Sequence, residues 1–290
     1  MAQYSIKDLE RLSGIKAHTL RMWEKRYGLI NPSRTRTNIR SYSDSDLKKI
    51  LNVSILNRYG IRISRIAAME EREIAEKIIL LSRDPSDYDS LMENLLISMV
   101  DMNEENFSKL LSKAIMQLGF EETVLKVVYP FLEKIGVLWQ TGSINPAQEH
   151  FISCLVRQKL LVGIDSVIPA VNPRPKQFLL FLPEGELHEI GLLFYSYILQ
   201  KRGHKVTYLG QWVPMGDMAS AVSVLPVDYL LTSISSVHSG SELQEYLDRL
   251  SSTFGNKTIF ISGYQIPFLK GTLPANIIRL SSVHELFDKL

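Results

Sequence analysis

A short run of charged and small residues, EGELHEIG at 184–191, has the composition of a loop that could hold a ligand. It directly follows an apolar run and opens a helical pattern. His188 is the side chain in it that changes charge near neutral pH and that commonly ligates metals. On residue type alone, a histidine in such a loop is more often a solvated or helix-capping residue. Its spacing from Glu186 and Gly191, E-x-H-x-x-G, favours the ligand-binding interpretation.

Two polar motifs follow this loop, each at the end of an apolar run. Forty-one residues separate Gly191 from Ser233-Ile234-Ser235, and 26 residues separate that motif from Ser262-Gly263. In an open parallel sheet, ligands bind outside the carboxyl ends of the strands. We therefore expect a ligand at the edge where these motifs end their strands.

A second candidate set precedes the sheet-forming pattern. Trp139 is followed directly by Gln140 and, after nine residues, by Glu149-His150. Taken alone, Trp139 would be a core anchor, and the Glu-His pair would be the polar start of a helix after Pro146.

Basic side chains are concentrated in the N-terminal quarter of the chain. Residues 1–72 carry 15 Lys and Arg against seven Asp and Glu, a net charge of +8. Residues 73–290 carry 18 against 24, a net charge of −6. A basic head on an acidic body is typical of a phosphate-binding module attached to another domain.

The N-terminal pattern is a short helix, a turn at Gly14 and a basic second helix over roughly 17–27, which is the helix-turn-helix arrangement. Ser5 is predicted to cap the first helix together with Asp8, and Trp23 is predicted to point inward. Arginines with small polar neighbours follow, which suits phosphate contact. The candidate DNA contacts are His18, Thr19, Arg21, Lys25, Arg26, Arg34, Arg36, Arg40 and Tyr42.

Three blocks position these residues. Residues 1–72 read as short helices with a wing, residues 85–168 have helical periodicity, and three prolines in 168–176 mark a boundary. Residues 176–290 alternate strands and helices. Strands are predicted at 177–182, 205–210, 227–235 and 257–262, and helices at 188–203, 216–225, 241–255 and 282–290. The predicted fold is multidomain: an all-α winged helix-turn-helix, a helical bundle and an α/β doubly wound parallel sheet.

Composition excludes several classes of protein. Apolar residues make up 45% of the 290 residues and charged residues 22%, which is typical of globular domains. Cys154 is the only cysteine, so no internal disulfide forms. No apolar run approaches the ~20 residues of a membrane span, and the N-terminus lacks a signal-peptide core, so we expect a cytoplasmic protein without a membrane partner. No phosphate loop, hydrolase nucleophile motif or zinc-ligand spacing indicates an enzyme.

Residues 3–72 resemble the MerR family of regulators. The resemblance is carried by Leu20, Arg21, Trp23, Glu24, Arg26, Gly28, Leu29, Arg34, Arg40, Tyr42 and Asp46. It implies that the second helix enters the major groove, that the wing contacts phosphates, and that a dimer binds a palindromic operator.

The loop and the two polar motifs resemble the cobalamin-binding domain family, whose pattern is D-x-H-x-x-G, S-x-L and G-G. The resemblance implies that His188 is the axial cobalt ligand and that Glu186 orients it. It also implies that Gly191, Ser233, Ser262 and Gly263 line the slot for the nucleotide tail. The Trp139 motif resembles the helical cap of MerR-type cobalamin photoreceptors, which implies that Trp139, Glu149 and His150 contact the upper ligand.

These resemblances imply a homo-oligomeric repressor, a dimer or tetramer, whose operator binding depends on cobalamin, chiefly adenosylcobalamin, and on light. One alternative is a regulator of the same architecture that no longer uses cobalamin. It is motivated by Glu186, Ser235 and Ser262, where the family has Asp, Leu and Gly, and by Gln140, where light sensors have His. A corrinoid methyl carrier is a further alternative, against which the basic head argues.

Overall fold

The computed structural model describes residues 4–34, 39–81, 88–140, 144–235, 240–269 and 271–290. The chain divides into two compact units, Met1–Val156 and Arg157–Leu290. None of the helices in these described ranges combines the length and the apolarity needed to cross a bilayer.

The first unit is built from helices with one small two-stranded wing. The wing pairs β1 with β2 antiparallel. The elements are α1 Ile6–Ser13, α2 Ala17–Tyr27, β1 Ser33–Arg34, β2 Arg40–Ser41, α3 Asp44–Arg58, α4 Ile63–Ile66, α5 Glu71–Leu81, α6 Tyr88–Val100, α7 Glu104–Leu118, α8 Phe120–Thr123, a π-helical segment Val124–Val128, and α9 Tyr129–Gln140. The next helix, α10 Pro146–Asp165, begins in this unit and ends in the second.

Side-chain caps fix where the helices of the head begin. Ser5 accepts the Asp8 amide at 3.2 Å while the Asp8 carboxylate accepts the Ser5 amide at 2.8 Å, and α3 begins with the same reciprocal pair. Each such capping box satisfies amides that the helix itself cannot bond. Gly14 ends α1 in the left-handed region at φ 72°, which a glycine adopts without strain. The predicted cap of Ser5 with Asp8 and the inward orientation of Trp23, which is 6% exposed, are confirmed.

The second unit is a five-stranded parallel sheet with the strand order β4-β3-β5-β6-β7. Its first strand lies in the interior, and the chain winds first to one edge and then to the other. Such an order has a switch point between the two strands where winding reverses, here β3 and β5. The elements are β3 Gln177–Pro183, α11 Ile190–Lys201, β4 Lys205–Val213, α12 Met215–Val224, β5 Tyr229–Ser233, α13 Gly240–Thr253, β6 Thr258–Ser262, a 3₁₀ turn Ile266–Phe268, β7 Ile277–Arg279 and α14 Val283–Asp288.

The predicted fold class is confirmed; β5 is shorter than the predicted 227–235, and β4 and β7 also differ from the prediction. β4 continues to Val213 instead of ending at Gly210, because Gly210 at φ 85° takes up a register shift against β3 rather than stopping the strand. The short edge strand β7 was not predicted, since three residues carry too little alternation to be recognised.

Candidate functional site

His188 lies in the loop between β3 and α11, at the switch point of the sheet. Its ring Nδ1 lies 2.7 Å from Glu186 Oε1, and its backbone amide donates to the same oxygen at 2.9 Å. The other carboxylate oxygen of Glu186 accepts the backbone amide of Ser235, just beyond β5, at 2.7 Å. Glu186 is 2% exposed, so the histidine is oriented by a buried carboxylate that is itself held by the neighbouring strand.

This arrangement fits an imidazole that ligates a metal. With Nδ1–H donated to Glu186, Nε2 carries the lone pair, and a second hydrogen bond of this kind orients the ring and raises its basicity. The His188 side chain is 63% exposed, so the ring is presented outward from a fixed base. The extra methylene of Glu186 still allows the contact, and Ser235 contributes through its backbone, so the side chain at 235 is immaterial to it.

Gly191, Ser233 and Ser262 lie on one face of the sheet. Ser233 and Ser262 end β5 and β6 as direct partners in register, so both side chains point to the same side. A Cβ added to Gly191 would meet nothing closer than the Ser233 hydroxyl, at 3.9 Å. Neither backbone strain nor crowding requires a glycine in this first turn of α11, and the space beside it is compatible with a ligand group.

Gly263 has a different reason to be glycine. It has φ 115°, and a Cβ there would lie 2.2 Å from the carbonyl oxygen of Ile234. The amide of Ile234 in turn donates to Ser262 at 2.9 Å, so the chain after β5 crosses directly over this position. The glycine is therefore required by the fold itself, whatever it also contributes to a ligand.

The second predicted set lies at the junction of α9 and α10. Glu149 lies in the first turn of α10 and His150 directly follows it, with 3.5 Å between Glu149 Oε2 and His150 Nδ1. Ser153 donates to the other Glu149 oxygen at 2.6 Å, and the His150 side chain is 79% exposed. The backbone of Trp139 lies near the end of α9, and its side chain and that of Gln140 lie outside what the structure describes.

Sequence reasoning missed three exposed apolar side chains at or just beyond the carboxyl ends of β3, β4 and β6. Leu187 is 55% exposed, Trp212 at the end of β4 is 56% exposed, and Tyr264 directly after Gly263 is 60% exposed. Trp212 also has φ 55°, a left-handed conformation that costs a tryptophan roughly 1–3 kcal/mol and that clusters at functional sites. Large exposed apolar side chains at the carboxyl ends of parallel strands, the edge where such sheets bind ligands, are candidates for a binding surface.

Two buried residues next to these motifs were missed as well. Glu189, directly after His188, is 5% exposed and bonds to Arg157 and Tyr208. Tyr195, one turn after Gly191 on α11, interacts with the Ser262 hydroxyl, and burial raises its pKa to about 12. In the sequence, the signal that could have drawn attention to these residues is the acidic side chain of Glu189 directly after His188.

The second helix of the head presents the predicted DNA-reading residues to solvent. His18, Arg21, Lys25 and Arg26 are exposed, and Thr19 is half-buried. Leu20 and Trp23 pack inward on the opposite side of α2. This is the division of faces that a recognition helix needs in a major groove.

In the wing, the predicted residues divide into two groups. Arg34 is exposed, whereas Arg40 pairs through Nε with both carboxylate oxygens of Glu24, at 3.2 and 3.1 Å. Tyr42 is 1% exposed with its hydroxyl 3.5 Å from the same carboxylate, and burial raises its pKa to about 12. Tyr42, one of the candidate DNA contacts, is therefore a buried side chain that packs the wing against α2. Arg36 lies outside the described residues.

A basic winged helix-turn-helix joined to a doubly wound domain with a fixed histidine at its switch point defines a DNA-binding regulator with a ligand-sensing domain. Comparison with known proteins agrees. Residues 4–73 match the MerR HTH family regulatory protein model, and residues 91–162 match the B12 binding domain model.

The relatives that match along most of the chain are transcriptional regulators. The HTH-type transcriptional repressor CarH of Myxococcus xanthus is 31% identical over 85% of this chain and 84% of its own length. The HTH-type transcriptional repressor CarA of the same organism is 27% identical over 84% and 80%. The chain belongs to this family of MerR-type transcriptional repressors, and it is a DNA-binding regulator that carries a B12-binding domain.

A solved structure shares the fold of the sensing part. The monomethylamine corrinoid protein of Methanosarcina barkeri has a TM-score of 0.51 and 15% identity, over 69% of this chain and 96% of that one. At this identity the likeness concerns the fold alone.

Proposed function

We propose that this chain is a repressor whose oligomerisation and binding to palindromic operators are controlled by adenosylcobalamin. The observation that carries the proposal is the outward-facing imidazole of His188, held at Nδ1 by the buried carboxylate of Glu186, which is anchored in turn to Ser235. A solvated or helix-capping histidine has no need of a buried carboxylate fixed to a second strand.

The sensing domain would act on the corrin through distinct groups of its own side chains. His188 would ligate cobalt through Nε2 while Glu186 keeps the proton on Nδ1. The nucleotide tail would be lined by Gly191, Ser233, Ser262 and Gly263, and the lower face of the corrin would lie on Leu187, Trp212 and Tyr264. Trp139, Glu149 and His150 would contact the upper ligand. When bound, adenosylcobalamin supplies a cobalt–carbon bond that light can break.

The head would bind DNA through α2 in the major groove and through the wing at phosphates. An assembly that presents several heads together would raise operator affinity through effective concentration, without any new DNA contact. Light, or loss of the upper ligand, would shift the population away from that assembly. With Gln140 in place of a histidine, we expect no histidine capture of cobalt at that position after illumination.

The test is to purify the full chain with adenosylcobalamin in the dark and to pass it through gel filtration. We expect red protein with stoichiometric cobalt, a larger assembly than the cofactor-free chain forms, and a stronger mobility shift of the promoter fragment upstream of its own gene. The His188→Ala variant should lose the histidine-ligated spectrum. Colourless, cobalt-free protein that shifts the fragment equally with and without cofactor would instead establish a regulator independent of cobalamin.

A further inference from the structure

Glu189 is a buried charged residue that the proposed site does not account for. Its side chain is 6% exposed, although it directly follows the largely exposed His188. Its Oε1 accepts a hydrogen bond from the Arg157 guanidinium on α10, and its Oε2 accepts one from the Tyr208 hydroxyl on β4 at 2.8 Å. One carboxylate therefore ties together a helix, a strand and the loop that carries the histidine.

The backbone of the loop is fastened on both sides of His188. The Glu189 amide donates to Leu187 at 3.0 Å, and the Glu189 carbonyl accepts the Leu193 amide at 2.8 Å, which starts α11. The Gln211 side chain, on β4, donates to the Leu187 carbonyl at 2.6 Å. With Glu186 held by Ser235 on the other side, the loop is anchored to β5 through one glutamate and to β4 and α10 through the other.

The pair is poorly explained as a source of stability, because Glu189 is buried while the Arg157 side chain is 49% exposed. Burying the carboxylate costs free energy, and the attraction to a guanidinium that remains half in solvent is weakened by that solvent. Fixing a geometry is the better-attested use of buried charges. The geometry fixed here is that of the residue adjacent to Glu189, the proposed cobalt ligand.

We infer that Glu189, held by Arg157 and Tyr208, is a positioning residue for the His188 imidazole. It is distinct from Glu186, which bonds to the ring itself, because the carboxylate of Glu189 bonds to Arg157 and Tyr208 and holds the loop. The inference rests on the proposed function, since it assigns Glu189 a part in the same site.

The first experiment needs no cofactor. In the cofactor-free full chain, hydrogen exchange of a peptide covering 184–191 should accelerate in Glu189→Gln and, to a smaller extent, in Tyr208→Phe. Glu184→Gln is the matched control, because it removes the same charge from an exposed position in the same loop and should leave exchange unchanged. Unchanged exchange in both Glu189→Gln and Tyr208→Phe would overturn the inference.

The second experiment uses adenosylcobalamin. Glu189→Gln should bind it more weakly by about 10-fold, the lower end of the loss seen when a partner bonded directly to a metal ligand is removed, and with a smaller histidine-ligated fraction in its absorbance spectrum. Tyr208→Phe should show the same spectral change to a lesser degree, which decides the matter if Glu189→Gln fails to fold. Wild-type affinity and spectrum in both variants would contradict the inference. Failure of the wild-type chain to bind the cofactor would refute the proposed function instead, and the exchange experiment would still decide the role of Glu189.

Discussion

Replacing Glu93 with glutamine should make the first unit more resistant to unfolding as the pH rises. Glu93 lies on α6 and is 3% exposed, at the contact between that helix and α3 of the head. Its Oε1 accepts hydrogen bonds from Ser54 and, at 2.7 Å, from the Arg58 guanidinium. Among the described residues its Oε2 has no hydrogen-bond partner. Half of the carboxylate is therefore poorly stabilised as an anion.

The magnitude follows from the protonation equilibrium of this group. Burial raises the pKa of Glu93 from 4.5 to about 7, against the opposing effects of Ser54, Arg58 and, from α9, Lys134. The difference corresponds to about 3 kcal/mol. Because the folded state binds the proton more tightly than the unfolded state, this stability is present below pH 4.5 and is lost as the pH rises through 7. Glutamine does not titrate, so the wild type should lose about 3 kcal/mol relative to Glu93→Gln across that range.

Urea unfolding of the full chain, followed by circular dichroism at several pH values from 4.5 to 8, measures this difference. The control is Glu105→Gln, since Glu105 is an exposed carboxylate on α7 paired with Lys109 one turn away, and exposed pairs of this kind contribute little. That variant should follow the wild type at every pH. Parallel pH curves for the wild type and Glu93→Gln would show that the buried carboxylate ionises at its ordinary pKa, and would refute the reasoning.

Four further predictions follow from the site and the head. Lys25→Ala should reduce the slope of log K for DNA against log salt by about 0.9, as measured by fluorescence anisotropy, if Lys25 contacts one phosphate. Gly191→Val should leave the melting temperature of the cofactor-free chain near that of wild type but weaken cobalamin binding in titration, whereas Gly263→Ala should destabilise the cofactor-free chain because its Cβ meets the Ile234 carbonyl. Trp212→Gly should relieve the strained φ without loss of thermal stability and should lower cobalamin affinity by equilibrium dialysis. Ser43→Ala should lower the free energy of unfolding in urea by about 1 kcal/mol through loss of the α3 cap. A decrease below a few tenths of a kcal/mol would contradict the capping role.

Much of the architecture could be predicted from the sequence because it is encoded locally. Capping residues are read within four positions, as for Ser5 and Asp8 at the start of α1. The alternation of apolar runs and helical patterns was sufficient for the parallel sheet. His188 and Glu186 lie two residues apart in a motif whose resemblance to the cobalamin-binding domain family implied their contact, and the two side chains lie 2.7 Å apart.

Contacts between residues far apart in the chain could not be predicted from the sequence. Arg157 and Tyr208 meet Glu189 from 32 residues before it and 19 after it, on separate elements. A carboxylate like that of Glu189 has the same appearance in a sequence whether it is solvated or buried. Only packing decides between these states. Here the packing of Glu186 and Glu189 against neighbouring elements holds the His188 loop on both sides. The same reasoning applies to Arg40. Its place in a basic wing suggests a phosphate contact, whereas in the fold its guanidinium pairs with Glu24. Because this pairing offsets part of the charge of Arg40, a count of arginines overstates the positive charge that the wing offers to a phosphate.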